Sequence, residues 1–230
     1  MSIWYCIPSA RPDGGTIPKW LEAGYKVFAW RDTDAPSLPS CTDEHHGPYP
    51  GYAETVNTMA LAVLRQNNLA CDWIVTGGDD VLPDQNHTPE EIAAQCTEHF
   101  GGTFGVMQPT GDRWADGSID RICGSPWMGR EFCQRMYGGQ GPLWPGWFHC
   151  FVDEELQCVA KRMGVLWQRP DLTHEHKHWI RRDGPEDVDW EAVEPEHLKD
   201  KNVTLQRDRP LFNRRKIQGF PGHVPLAVCA

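Results

Sequence analysis

The chain has 230 residues, 40% of them hydrophobic, which suits one sizeable domain with extensions, and a formal net charge of −10. That acidity excludes a protein that coats nucleic acid non-specifically, because phosphate neutralisation needs clustered Lys and Arg, but it leaves room for a local basic patch. No run approaches the roughly 18 apolar residues of a membrane span, and the opening MSIWYCIPSARP lacks the basic start and unbroken apolar stretch of a signal peptide, so the expected location is the cytoplasm.

Residues 3–8 read as a strand that ends in the turn Pro8-Ser9-Ala10-Arg11-Pro12-Asp13-Gly14-Gly15. A short helix is expected over 18–23, with Thr16 as N-cap and Pro18 in its first turn. A second strand, 26–30, stops at Arg31-Asp32, and strand, helix, strand implies a parallel crossover unit. Residues 35–50 read as a Pro-rich loop. Over 52–67, Val56, Met59, Ala60, Val63 and Leu64 recur at helical spacing.

This helix delivers the chain to DWIVTGGDDVLPD, in which a short apolar strand meets two glycines and then Asp79 and Asp80. Ligands of open α/β sheets bind at that C-terminal strand edge, and paired hard oxygens there suit Mg²⁺ or Mn²⁺. Next, Thr88-Pro89-Glu90-Glu91 is a helix start leading into 92–100, and 104–108 is a strand. The Gly, Pro and Trp-rich stretch 109–150 reads as loops around short helices such as 129–136. Residues 153–163 form a clear helix ended by Gly164, and 165–168 a final strand.

The nine cysteines are scattered without a CxxC pair, which fits reduced, core-packing thiols better than a zinc ribbon or a disulfide framework. Of the eleven tryptophans, Trp4, Trp30 and Trp73 are expected in the core. Trp127, Trp144 and Trp147 lie in the loop-rich stretch, where rings often form a stacking surface for sugars or bases. Residues 183–198 carry seven acids and no Lys or Arg, whereas 199–216 carry seven basic residues against two acids. This switch marks a C-terminal extension, 181–230, beyond a domain spanning 1–180. The extension reads as a solvated tail lying against the body, its basic block being the best place for contact with a polyanion.

Three features point toward the GGDD edge. Ser9 and Arg11 offer a hydroxyl and a guanidinium for a nucleotide's phosphates or base. In Trp147-Phe148-His149-Cys150-Phe151-Val152-Asp153-Glu154-Glu155, acids open a helix directly after an aromatic loop. That suits the helix dipole, and it also suits a general base, for which Asp153 at the helix start is favoured, with Glu154 and Glu155 expected to face along or away. Thr173-His174-Glu175-His176-Lys177-His178 places three histidines at every second position, on one face if the segment is extended. Such a set can share a metal ion.

Taken in order, IPSARP, AWRD, GYAETVNTMA, GGDD, GWFHCFVDEEL and THEHKHW resemble the GT-A superfamily of nucleotide-sugar glycosyltransferases, most closely small family-2-type members including those of phages, over roughly residues 3–180. The resemblance implies an α/β fold: a single GT-A, Rossmann-like domain with a mainly parallel central sheet flanked by helices. It implies a nucleotide-sugar donor, UDP-sugar favoured, held by Pro8, Ser9, Arg11, Asp32, Asn57 and Asp79. It also implies Mn²⁺ or Mg²⁺ on Asp80 with His176 or its neighbour His178. Asp79 binds metal or ribose on this reading, and the base is Asp153 or Glu154, because the motif is GGDD rather than Asp-x-Asp and the acids run Asp-Glu-Glu. Implied acceptors are a 5-hydroxymethylated pyrimidine in phage DNA such as 5-hydroxymethylcytosine, a glycan or a small molecule. A sugar nucleotidyltransferase-like enzyme is the rival enzyme class, although IPSARP lacks that class's Lys. A metal-stabilised interaction module built on the histidines is the non-enzymatic rival.

Overall fold

A computed structural model describes residues 2–65, 71–112, 121–177 and 201–224. In chain order its strands are β1 (Trp4–Pro8), β2 (Lys26–Arg31), β3 (Asp43–His46), β4 (Trp73–Val75), β5 (Val81–Leu82), β6 (Val106–Pro109), β7 (Trp127–Gly129), β8 (Leu166–Arg169) and β9 (Glu175–His176). Its helices are α1 (Ile17–Glu22), α2 (Tyr52–Arg65), α3 (Pro89–Phe100), α4 (Arg130–Arg135), α5 (Val152–Arg162) and α6 (Lys201–Ile217). Seven strands form one sheet in the order β3-β2-β1-β4-β7-β6-β8, and β5 pairs separately with β9. The neighbours of β1 and the pairs β2·β3 and β6·β8 are parallel, whereas β7 runs antiparallel to both β4 and β6. The result is an α/β architecture with a mostly parallel mixed sheet flanked by helices, as in Rossmann-like folds.

The period of two along β1 divides the core. Trp4 and Cys6 pack into one cluster with the apolar stripe of α2, Phe132 of α4, and Leu156, Val159 and Ala160 of α5. Ile3, Tyr5 and Ile7 point the other way, into a cluster with Trp20 of α1 and Ile92, Ala93 and Cys96 of α3. The signals read at 88–91 form a capping box, Thr88 and Glu91 each accepting the other's backbone N–H. All eight described cysteines are free. No helix among the described residues is long and apolar enough to cross a membrane.

Four expectations are corrected. The stretch 35–50 is not all loop, because Asp43–His46 forms the edge strand β3 beside β2; a polar, partly exposed edge strand has no apolar alternation to betray it. Within 109–150, Trp127–Gly129 is a fully buried antiparallel strand. The tryptophans there are not a ligand platform. Trp127 and Trp147 are buried, and the half-buried Trp144 lies under the Arg215 guanidinium, 3.6 Å from its ring centre. Finally, the basic block does lie against the body, but as the helix α6, which buries Asp208 and Arg215 there, rather than as a solvated tail. The acidic block 183–198 lies outside the described residues.

Candidate functional site

The chain after β4 makes its turn inside a ring of hydrogen bonds from both faces of the sheet. Tyr5 Oη donates to the Gly78 carbonyl at 2.7 Å, and Tyr52 Oη to the Gly77 carbonyl at 3.1 Å. Thr16 N–H donates to the Asp79 carbonyl at 2.9 Å, and the Thr16 hydroxyl and the Trp20 indole both donate to the Val81 carbonyl. The approach is close enough to require glycine at Gly15: its φ is +59° and a Cβ there would lie 2.1 Å from the Asp79 carbonyl oxygen, whereas a Cβ on Gly78 would meet only the Asp80 carboxylate.

The two carboxylates held there have different partners. Asp79 accepts from Ser9 Oγ at 2.7 Å through Oδ2 and from Arg11 Nε at 3.0 Å through Oδ1. Burial pushes its carboxyl above the usual range, against the Ser9 hydrogen bond and the Arg11 charge. Asp80 instead meets His176, with Nε2 and Oδ1 3.1 Å apart. The β5·β9 ladder sets this contact by pairing Val81 with His176, and it is extended by Lys177 N–H donating to the Asp80 carbonyl at 2.7 Å. Asp112 fixes the same segment by accepting His176 N–H at 2.7 Å.

Asp153 approaches from α5. The preceding Phe151 has φ +67°, a left-handed kink that turns the aromatic loop into the helix. Asp153 is partly open to solvent yet densely surrounded, and burial raises its carboxyl, opposed by the Glu154 N–H and by the charge of the nearby His176. Tyr52 senses both Asp153 and Asp80. Thus Asp80, His176, Tyr52 and Asp153 share one electrostatic neighbourhood at the sheet edge. Burial and then Asp153 push Glu154 up to about 7.

Not every residue read from sequence joins this group. Asn57 does not face the site: it is buried, its amide donating to the Leu143 carbonyl at 2.7 Å and accepting Leu143 N–H at 3.0 Å, so it pins the loop before the tryptophans. His174 is also elsewhere, since its Nδ1 meets Ser125 Oγ at 3.0 Å and its ring abuts Trp20 edge-on in the core. His178 lies outside the described residues. Asp32 is exposed at the end of β2, within electrostatic reach of Tyr49, and Pro8 ends β1 opposite Trp30. Glu155, expected to face along or away, is 1% exposed and forms a structural hub.

Sequence reading missed several members. Arg31 is 0% exposed; its Nη1 lies 3.5 Å from Ser9 Oγ, its Nη2 donates to the Pro36 carbonyl, and it makes no ion pair among the described residues. It is therefore a buried cation behind the Ser9–Asp79 pair. Its signal was its place beside Asp32 at a strand end. Asp112 had the better signal, an acid in a Thr-Gly-Asp turn directly after β6, the same grammar as Asp79. Tyr52 had none, being one of several apolar-face residues on α2.

Among the described residues no group of three or more His, Cys, Asp or Glu is gathered as a metal cage. Asp80 and His176 still fit an ion, because a carboxylate oxygen and an imidazole nitrogen converge and Mg²⁺ or Mn²⁺ commonly takes one or two protein ligands plus water and substrate phosphate. An open depression of about 420 Å³ between α3 and β8 is a poorer site, its one cation, Arg169, being tied to Asp171 and Gln95. No family model and no curated protein matches the chain.

Proposed function

We propose that the chain is a metal-dependent glycosyltransferase of the GT-A type that moves a sugar from a nucleotide-diphosphate sugar, UDP-sugar favoured, to an acceptor hydroxyl. The observation that carries the reading is the division of labour between neighbouring acids: Asp79 is bound by Ser9 and Arg11, whereas Asp80 is turned to His176. One carboxylate thus organises the loop after β1, and the next is left to a metal-type partner.

On this reading the donor lies along the C-terminal edge of β1, β2 and β4, with Asp32 toward the base. Arg11 and the buried Arg31 supply positive potential for the diphosphate. A Mn²⁺ or Mg²⁺ held by Asp80 and His176 would neutralise charge on the leaving diphosphate. Asp153, in the same electrostatic neighbourhood and with its carboxyl raised by burial, accepts the acceptor hydroxyl's proton as the oxygen attacks the anomeric carbon, which gives inversion. Glu154 is the other carboxylate in reach. The acceptor classes are a 5-hydroxymethylated pyrimidine in DNA, a glycan or a small molecule.

A thermal-shift panel of UDP, GDP, CDP and ADP, each with and without Mn²⁺, tests the reading, because a ligand bound only by the native state raises its stability with saturation. A manganese-dependent shift with one diphosphate is expected. A shift with metal alone and with no nucleotide would favour the metal-stabilised module instead.

A further inference from the structure

The charged residues of α6 are sorted by direction. Its one acid among the described side chains, Asp208, is buried, as is Arg215, whereas Arg207, Arg209, Arg214 and Lys216 are exposed. At 3.6 residues per turn, the four exposed cations fall into two rows flanking the buried stripe: Arg207 with Arg214, and Arg209 with Lys216. Members of a row are seven residues apart, about 10 Å along the axis.

The two rows border different things. Arg207 lies over Phe148, 4.7 Å from its ring centre. Arg209 lies over Phe151 at 5.7 Å and Lys216 over Phe212 at 5.5 Å, and these two rings stack on each other at 4.6 Å. Arg209 and Lys216 both bear electrostatically on Glu154, and Lys216 and the exposed Arg162 of α5 both bear on Cys158. The second row therefore runs along α5 from the end that carries Asp153 and Glu154. It makes no ion pair with an acid among the described residues.

We infer that Arg209 and Lys216, continued by Arg162, form a phosphate-binding track for a nucleic-acid strand that leads to Asp153. Two cations about 10 Å apart can each meet a different phosphate of one strand. Guanidinium forks match phosphate oxygens, and the Phe151–Phe212 stack, packed against the core beneath the row, holds Arg209 and Lys216 over it. A chain of net charge −10 is repelled by a broad anionic membrane surface, but a linear track engages a strand locally. The track's role in presenting an acceptor rests on the glycosyltransferase reading; strand binding does not.

The test uses the full chain and a fluorescein-labelled single-stranded 20-mer, with anisotropy measured from 25 to 200 mM salt. Arg209→Gln/Lys216→Gln should weaken binding several-fold and flatten the log–log salt slope by roughly 1.4, about 0.7 for each phosphate that is no longer neutralised. Arg207→Gln/Arg214→Gln, with the same charge change, should leave the slope near that of the unmodified chain. No strand binding, equal losses in both double variants, or equal binding of a heparin fragment or polyglutamate would overturn the track. The diphosphate thermal shift on the same protein separates the two claims. A donor shift without strand binding removes only the track, and strand binding without a donor shift leaves the track and removes sugar transfer.

Discussion

Glu155 and Arg215, sixty residues apart in the chain, form a bidentate pair inside the protein: Arg215 Nε donates to Oε2 at 2.8 Å and Nη2 to Oε1 at 2.5 Å. Tyr137 Oη and Trp147 Nε1 complete the carboxylate's coordination at 3.1 and 3.0 Å. A second link lies one helical stretch away, where Asp208 Oδ2 accepts the N–H groups of His149 and Cys150. Together they fasten α6 to the aromatic loop and to the start of α5. The C-terminal helix thereby holds the segment that presents Asp153.

Glu155→Gln should be strongly destabilising, by about 3–5 kcal/mol, since removing one partner leaves a buried guanidinium without its counter-charge. Arg215→Met should cost a similar amount by stranding the carboxylate. The double variant Glu155→Gln/Arg215→Met should lose less than the sum of the two. Urea unfolding of all four proteins gives the coupling, and additive losses would show that the pair does not couple the two helices.

Asp80→Asn should abolish the manganese-dependent diphosphate shift and sugar transfer while the fold stays intact. The backbone carbonyl of residue 80, which accepts Lys177 N–H, is untouched by the change, so the β5·β9 ladder survives. Asp79→Asn should differ in kind, loosening Ser9 and Arg11 and so weakening nucleotide binding with or without metal. The two variants are compared by thermal shift with and without Mn²⁺. An unchanged manganese response in Asp80→Asn removes this residue from the metal site.

What could be read beforehand follows how locally each feature is encoded. The β1–α1–β2 unit, the stripe of α2, the capping box of α3 and the GGDD edge each sit in a few adjacent residues whose periodicity or turn chemistry decides the outcome. Asp80 stood out as a polar signal directly after a strand, but its pairing with a late histidine came only from the family resemblance, which left His176 and His178 open; His176 itself lies in the two-residue strand β9, too short to be read from periodicity. β3 and β7 were not, because one is a polar edge and the other three residues inside a Gly/Pro-rich run. Glu155 and Asn57 were misread for a different reason. Each sits where a functional residue would, and only the tertiary partners, Arg215 and Leu143, reveal that its polar atoms are already satisfied.

Asp153→Asn should lose turnover but retain the donor-induced thermal shift, whereas Glu154→Gln should keep turnover. With burial raising Asp153 and Glu154 lifted to about 7, the carboxylates lose their protons only as pH rises, so kcat/KM should climb with pH on its acidic limb. A climb that survives in Glu154→Gln assigns it to Asp153. If Glu154→Gln abolishes turnover and Asp153→Asn does not, the base is Glu154.

His174 makes the core sensitive to acid. Burial lowers its pKa to about 4 from an ordinary 6.5, and its Nε2 is buried with no hydrogen-bond partner, so a second ring proton has nowhere to go. The unfolded chain takes up that proton first as pH falls. The stability contributed by neutral His174 is therefore fully present above pH 6.5 and is lost between 6.5 and 4, in all about 3 kcal/mol at 1.36 kcal/mol per unit. Tm followed from pH 7 to pH 4 should fall more steeply for the unmodified chain than for His174→Gln, which has no group to titrate there. Parallel curves would mean that the imidazole already shares its proton in the folded state, and that the acid sensitivity of the fold lies in its carboxylates.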